Sequence, residues 1–345
     1  MAVCGQYAYL IEGDVNEFKV VDVSDPANQT VVGTIDPGDT NVFDVGYNGD
    51  VVVSGNYAYV VADDSDNLLV VDISNPAIPT IVGNWDPGDT DVFGRYYFSN
   101  GLTVSGSYVY ITGNDSDNML IIDVSDPTKP TLVGNWSSSD TNIMASSTDV
   151  YISGNYAYVT GYVSDNLAIV DISNPFNPML VGTWDPNNTS VMDGAVAVVV
   201  SGNYAYVAGS ISDNFAIVDI SNPANPTLAG NWSPGNTSVA DSPRFLGVSG
   251  DYVYIVCHSS ASMAIVDVSD SSDPSLVSLL GPEDYSNFDV PGDFVISGGY
   301  AYVISADSSN LSIFDIGSLE VANMEAGQIK TDNLEVQQFA QLDSD

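Results

Sequence analysis

Apolar and polar residues alternate along this chain in short runs, and the runs come in sets of four. In residues 51–85, VVVSGNYAYVVADDSDNLLVVDISNPAIPTIVGNW, the apolar segments are Val51–Ser54, Tyr57–Ala62, Leu68–Ile73 and Thr80–Trp85. Each has the length of a strand and is rich in β-branched or aromatic residues. Gly55-Asn56, the stretch 63–67, and Ser74-Asn75-Pro76 with Pro79 separate them. The two prolines forbid a helix and end the ladder at that point. Leu68-Leu69-Val70-Val71 is apolar on both faces, so this strand is expected to be covered on both sides.

The set of four recurs seven times. A Gly-x-Tyr-x-Tyr motif places its first tyrosine at Tyr7, Tyr57, Tyr108, Tyr156, Tyr204, Tyr252 and Tyr300. An apolar run ending in aspartate follows at Asp22, Asp72, Asp123, Asp171, Asp219, Asp267 and Asp315, fifteen positions after the tyrosine in every unit. A fixed period with constant internal spacing marks a repeat architecture. Small four-stranded sheets covered on both faces are propeller blades, so the pattern predicts an all-β, seven-bladed β-propeller of antiparallel blades, with a period of about 48–51 residues. An open β-solenoid is the rival, and it needs dissimilar end caps that the sequence lacks. Closure of the ring predicts contact between the segments around Val3–Tyr9 and Phe294–Tyr302.

Charge narrows the class of partner. Five Lys and Arg stand against 45 Asp and Glu, a net charge of −40. Such a surface repels phosphate, so nucleic acid and anionic lipid are poor partners. No apolar run approaches membrane-spanning length, and no membrane insertion is expected. Only six of the 45 acids are Glu; the rest are Asp, whose short side chain bonds nearby backbone in turns. The aspartate at Asp72 and its counterparts is expected to accept backbone N–H bonds from the turn Ile73-Ser74-Asn75. The recurring tyrosines read as packing between blades. Cys4 and Cys257 lie at different phases of the repeat and are expected to be unpaired. No charged and apolar leader precedes the first repeat, as though one had been removed or the chain trimmed.

Candidate chemistry lies where the units diverge. The connection from the last strand of one unit to the first of the next varies most: Phe43–Asp50, Phe93–Leu102, Met144–Asp149, Met192–Val196, Ala240–Leu246 and Phe288–Asp293. These segments are expected to gather at one end around an axial channel. Tyr47, Arg95, Tyr96, Tyr97, Arg244 and Phe245 are the candidate ligand-binding residues there. Aromatics with a few polar groups suit a glycan or protein ligand, and ordinary loop anchoring is the other reading. The turns holding Asp63, Asp64 and Asp66, and Asp115 and Asp117, offer oxygens at alternate positions that could take Ca²⁺. They lack the glycine and distal glutamate of an EF-hand, and a solvated Asx-rich turn is the preferred reading. No cofactor is required. His258 is the single histidine, so a zinc site has no second imidazole. Asn135, Asn231 and Asn310 head glycosylation sequons that matter only in a host that uses them. No catalytic residue is assigned.

Leu68-Leu69-Val70-Val71-Asp72, Leu167-Ala168-Ile169-Val170-Asp171 and Phe215-Ala216-Ile217-Val218-Asp219, each followed by Ile-Ser-Asn-Pro, resemble the LVIVD-repeat family over residues 1–316. The resemblance implies a β-propeller on a secreted or surface-displayed protein and carries no catalytic motif. Residues 1–323 are expected to form the propeller, with Leu319–Asn323 as the last outer strand. Residues 324–345 are then a tail, disordered or used for assembly through Met324, Ile329, Leu334, Val336 and Phe339. Glu325–Val336 weakly resembles the short repeats at phage fibre-shaft junctions. The expected function is recognition or adhesion at a surface. The alternatives are a structural subunit of a virion fibre or cell-surface appendage that self-assembles through the tail, and a polysaccharide-active enzyme with carboxylates in the channel.

Overall fold

The computed structural model describes residues 1–12, 16–36, 49–62, 65–88, 101–138, 140, 142–235, 240–281, 290–305 and 310–316. Seven antiparallel sheets follow one another, six of four strands and a seventh with three described strands. In every sheet the strands lie in chain order. The second blade comprises Asp50–Ser54, Tyr57–Ala62, Asn67–Asp72 and Thr80–Trp85. The seventh comprises Pro291–Ser297, Tyr300–Ser305 and Asn310–Asp315. Its expected outer strand, Leu319–Asn323, and the tail lie outside the described residues.

The ring is closed. The first strand of each blade touches the first strand of the next, and the first strand of the seventh blade touches Ala2–Cys4 of the first. Met1, Ala8 and Val21 pack against Tyr302, with Val3, Val295 and Tyr300 around them. This is the contact expected for a propeller, and a solenoid would not make it.

The core lies between blades. The third strand of the second blade is buried on both faces, with Leu68, Leu69, Val70 and Val71 fully covered. Leu69 and Val71 face the first blade, packing with Phe18 and Val20. Leu68 and Val70 face the third, packing with Val109 and Ile111. The two tyrosines of each Gly-x-Tyr-x-Tyr motif lean the same way: Tyr57 and Tyr59 join the cluster shared with the third blade, Tyr156 and Tyr158 the one shared with the fifth. They are packing residues, as their recurrence implies.

Two further features recur. In the first six blades the aspartate closing the third strand accepts the N–H of the serine two residues on, as Asp72 does from Ser74 at 2.8 Å and Asp171 from Ser173 at 2.8 Å. The serine hydroxyls, together with that bond, hold both carboxyls below the ordinary range. In the first four blades a glycine of the outer strand allows the next blade to close in. A Cβ on Gly83 would lie 2.1 Å from the carbonyl oxygen of Pro127, and one on Gly134 2.2 Å from that of Pro175. The Asn-Pro or Asp-Pro turn of one blade thus seats its backbone where the preceding blade carries no side chain.

Candidate functional site

Antiparallel order sorts the connections into two ends. Turns between first and second strands, and between third and fourth, lie at one end. There the residues recur from blade to blade, and Ile73 N–H donates to the Asn56 carbonyl exactly as Ile172 does to Asn155. A shallow groove of about 540 Å³ opens there between the third and fourth blades, lined by Tyr108, Asp123, Ser125, Asn155 and Pro175 among others. Hairpins between second and third strands, and the divergent inter-blade connections, lie at the other end.

A constant device holds these divergent connections. Units two to five carry Ser-Asp-Asn in the hairpin: 65–67, 116–118, 164–166 and 212–214. The aspartate sits at positive φ in all four, between 50 and 53°, a conformation that aspartate tolerates. In the third to fifth units its carboxylate accepts a backbone N–H from the connection entering the next blade. Ser146 donates to Asp117 at 2.6 Å, Gly194 to Asp165 at 2.7 Å and Ser242 to Asp213 at 2.9 Å. The serine and asparagine hold the same connection from the following blade. Ala145 N–H donates to Ser164 Oγ at 3.1 Å and Asp193 N–H to Ser212 Oγ at 3.1 Å. Asn166 Nδ2 donates to the Asn142 carbonyl at 2.6 Å, and Asn214 Nδ2 to the Ser190 carbonyl at 3.0 Å. The connections entering the fourth and fifth blades are therefore clamped between two blades by identical groups, although their own sequences differ.

This bears on the candidate calcium ligands. Asp117 is engaged by Ser146. Asp66 occupies the corresponding left-handed position and is buried. Asp115 is exposed. Asp63 and Asp64 lie outside the described residues. Among the described residues no three His, Cys, Asp or Glu side chains are grouped so as to hold a metal ion. Cys4 is free and exposed, Cys257 free and buried.

The first strands line the channel. At one equivalent position they present Asp50, Gly101, Asp149, Ala197, Phe245 and Asp293. Asp149 accepts N–H bonds from Val150 in its own strand and Val198 in the next blade, each at 2.8 Å. Asp293 accepts likewise from Phe294 at 2.6 Å and from the Met1 nitrogen. These carboxylates staple neighbouring inner strands. Asp50 lies 3.6 Å from the Met1 nitrogen and accepts the Val51 N–H at 2.7 Å. Its side chain keeps 24% of its surface open, facing channel rather than bulk water. Confinement pushes its carboxyl up to about 7, with the Met1 amine opposing and Asp293 reinforcing. Asp149 is pushed up to about 6 by burial, against its two N–H bonds.

Arg244 and Phe245 enter the sixth blade's first strand, Pro243–Ser249, at the channel mouth. Both are half-buried. Burial pushes the Arg244 guanidinium below its ordinary value, and Tyr162 beside it opposes that shift. Tyr162 belongs to the hairpin of the fourth blade and reaches across Gly194. A Cβ there would meet the Tyr162 ring at 2.8 Å and Ile211 at 2.9 Å. The structure thus brings Arg244 together with Tyr162, which sequence reasoning did not select. Tyr47, Arg95, Tyr96 and Tyr97 lie outside the described residues, as do Met324, Ile329, Leu334, Val336 and Phe339. Among the described residues no helix is long and apolar enough to cross a membrane.

Seven stretches match the model of the LVIVD repeat: residues 1–36, 45–87, 99–138, 145–185, 194–233, 244–280 and 292–323. No curated protein matches the sequence. Among solved structures, a functionally unknown protein from Desulfotomaculum acetoxidans superposes with a TM-score of 0.68 at 14% identity, covering 90% of this chain and 93% of that one. BamB from Moraxella catarrhalis gives 0.58 at 11% identity, covering 90% and 83%. The periplasmic gluconolactonase of Pseudomonas aeruginosa gives 0.59 at 12% identity, covering 81% and 86%. At these identities the likeness is one of fold alone.

Proposed function

The chain belongs to the LVIVD repeat family, and from that premise we propose that it is a non-enzymatic recognition propeller, extracellular or surface-displayed, binding a glycan or protein through its divergent inter-blade connections. One observation carries this reading. Identical Ser, Asp and Asn side chains hold connections of different sequence at identical offsets in successive blades. Such separation of a constant scaffold from variable surface is how binding proteins diversify recognition. Half-buried Arg244 and Phe245, with Tyr162, provide anchors of the kinds that dominate binding interfaces. The test is a panel of immobilised neutral glycans and a displayed peptide library probed with the whole protein. Binding that Arg244→Ala or Phe245→Ala weakens supports the proposal. Absence of binding to both probes overturns it.

A second reading is hydrolysis in the channel, since one matched fold is a gluconolactonase. The observation favouring it is the pair Asp50 and Asp149, whose carboxyls are pushed up to about 7 and about 6, a range that suits proton transfer. Their backbone N–H bonds also give them a structural role. Turnover of lactone or polysaccharide substrates that Asp149→Asn abolishes, with the fold intact, would establish the enzyme reading over the binding one.

A further inference from the structure

In units two to five the hairpins share Ser-Asp-Asn and differ in the two residues before it. Immediately before the Ser-Asp-Asn clamp the second and third units carry Asp63-Asp64 and Asn114-Asp115, while the fourth and fifth carry Tyr162-Val163 and Ser210-Ile211. Val163 and Ile211 therefore occupy the positions of Asp64 and Asp115. They are 65% and 54% exposed. In this chain of 39 aspartates, Asp115 holds this position and is exposed. Two adjacent blades instead hold aliphatic side chains out to water on a backbone that the clamp keeps unchanged. Tyr162 and Ile211 converge over Gly194, and Arg244 stands beside Tyr162. Val163 adjoins Tyr162 in the chain, and exposed Asp115 marks the same position on the neighbouring third blade.

We propose that this surface docks a peptide segment of a partner protein, one that presents apolar side chains to Val163, Ile211 and Tyr162 and carries basic residues toward the neighbouring acidic tips. The inference rests on the binding function proposed above and narrows its ligand to a polypeptide. Val163 and Ile211 add exposed aliphatic area, which suits apolar side chains better than the hydroxyls of a sugar. Arg244 supplies fixed donors for a peptide carbonyl. The net charge of −40 attracts a basic segment and steers its approach.

The test uses the full chain as bait for a phage-displayed random peptide library, with a neutral-glycan array in parallel. Enriched sequences should combine at least two apolar residues with Lys or Arg, and synthetic copies should bind more weakly as salt rises. Val163→Asp and Ile211→Asp give these blades the residue that the second and third units carry, so both should fold as the wild type does, checked by thermal melting. Each should weaken peptide binding about tenfold, from loss of buried apolar area, and Arg244→Ala should weaken it further. Peptides that bind the Val163→Asp/Ile211→Asp double variant unchanged would overturn this inference and leave the recognition function standing. Glycan binding lost in the same double variant would overturn the polypeptide class. Absence of both kinds of binding would overturn the recognition function as well.

Discussion

The hairpins of the third and fourth blades are one piece of backbone bearing two surfaces. Both place aspartate in the left-handed region, Asp117 at φ 50° and Asp165 at φ 51°. Both bond serine Oγ to asparagine Oδ1, at 2.8 Å in Ser116–Asn118 and 3.0 Å in Ser164–Asn166. Both reach the next connection through a carboxylate, at 2.6 and 2.7 Å. One residue before the serine, the third blade shows exposed Asp115 and the fourth exposed Val163. The conformation is therefore set by the clamp, and the tip is free to vary in chemistry. That separation is what a repeat protein needs in order to acquire a site without refolding its blades.

The largest expected effect breaks the frame that both hairpins share. Gly134 of the third blade receives the Pro175 carbonyl of the fourth. Because the opposing atom is backbone, it cannot swing aside. Gly134→Ala should cost about 3 kcal/mol or more through overpacking, read as a fall in the urea midpoint. Loss below about 1 kcal/mol would show that the seam is loose.

Next come the clamps themselves. Asp165→Ala leaves the buried Gly194 N–H unsatisfied and should cost about 2 kcal/mol. Asp117→Ala exposes the Ser146 N–H to water, which can replace the lost partner, so about 1 kcal/mol is expected. Equal costs would show that burial does not distinguish the two hairpins. The sixth blade already carries Ala261 at this position, with φ 46°, so the backbone conformation survives the change.

Much of this frame was legible from the residues. The constant spacing from Tyr57 to Asp72 and its repeats states blade number and strand order, because each unit must bury both faces of its third strand. Local boundaries moved slightly: the second blade's first strand begins at Asp50 and its third at Asn67. The site was legible only in part. Arg244 and Phe245 stand out as a rare cation and an aromatic in a divergent segment. Tyr162 does not, because its approach to Arg244 depends on how the ring sets the fourth and sixth blades on either side of the fifth. The acidic turns drew attention as metal ligands, whereas aligning the units on Ser-Asp-Asn reveals both the clamp and the aliphatic replacements. Asp50, Asp149 and Asp293 were visible only as ends of divergent segments, and their place in the channel needed the fold.

Carboxylates that accept backbone N–H bonds at the surface and in the channel should separate by pH. Asp149 ionises less readily when folded, with its carboxyl up at about 6, so the folded state holds a proton that the unfolded state releases between about pH 4 and 6. Stability should therefore rise as pH falls through 6 toward 4, and the gain should be lost above 6. Asp50 extends that window to about 7. Asp72 and Asp171 act in the opposite sense, since their lowered values stabilise the fold above the ordinary carboxyl range and that contribution disappears at still lower pH. Asp149→Asn should flatten the profile between pH 4 and 7 by about 1–2 kcal/mol. A variant with an unchanged profile would show that channel water solvates this carboxylate fully.

The smallest effect on stability is the most direct test of the comparison. Exchanging the tips, with Asp115→Val in the third blade and Val163→Asp in the fourth, alters no clamp bond and no packed side chain. Each change should stay within about 0.5 kcal/mol, as surface substitutions do. Their signs should differ slightly. Asp115→Val removes one negative charge from a molecule of net charge −40, relieving self-repulsion, while Val163→Asp adds one. Raising the salt concentration should erase that difference by screening. Unfolding midpoints measured for both variants at low and high salt check this. A cost above about 1 kcal/mol for Val163→Asp that persists in high salt would mean that Val163 supports its blade. The tip would then be part of the frame, and the division between clamp and surface would fail at the place where it matters for binding.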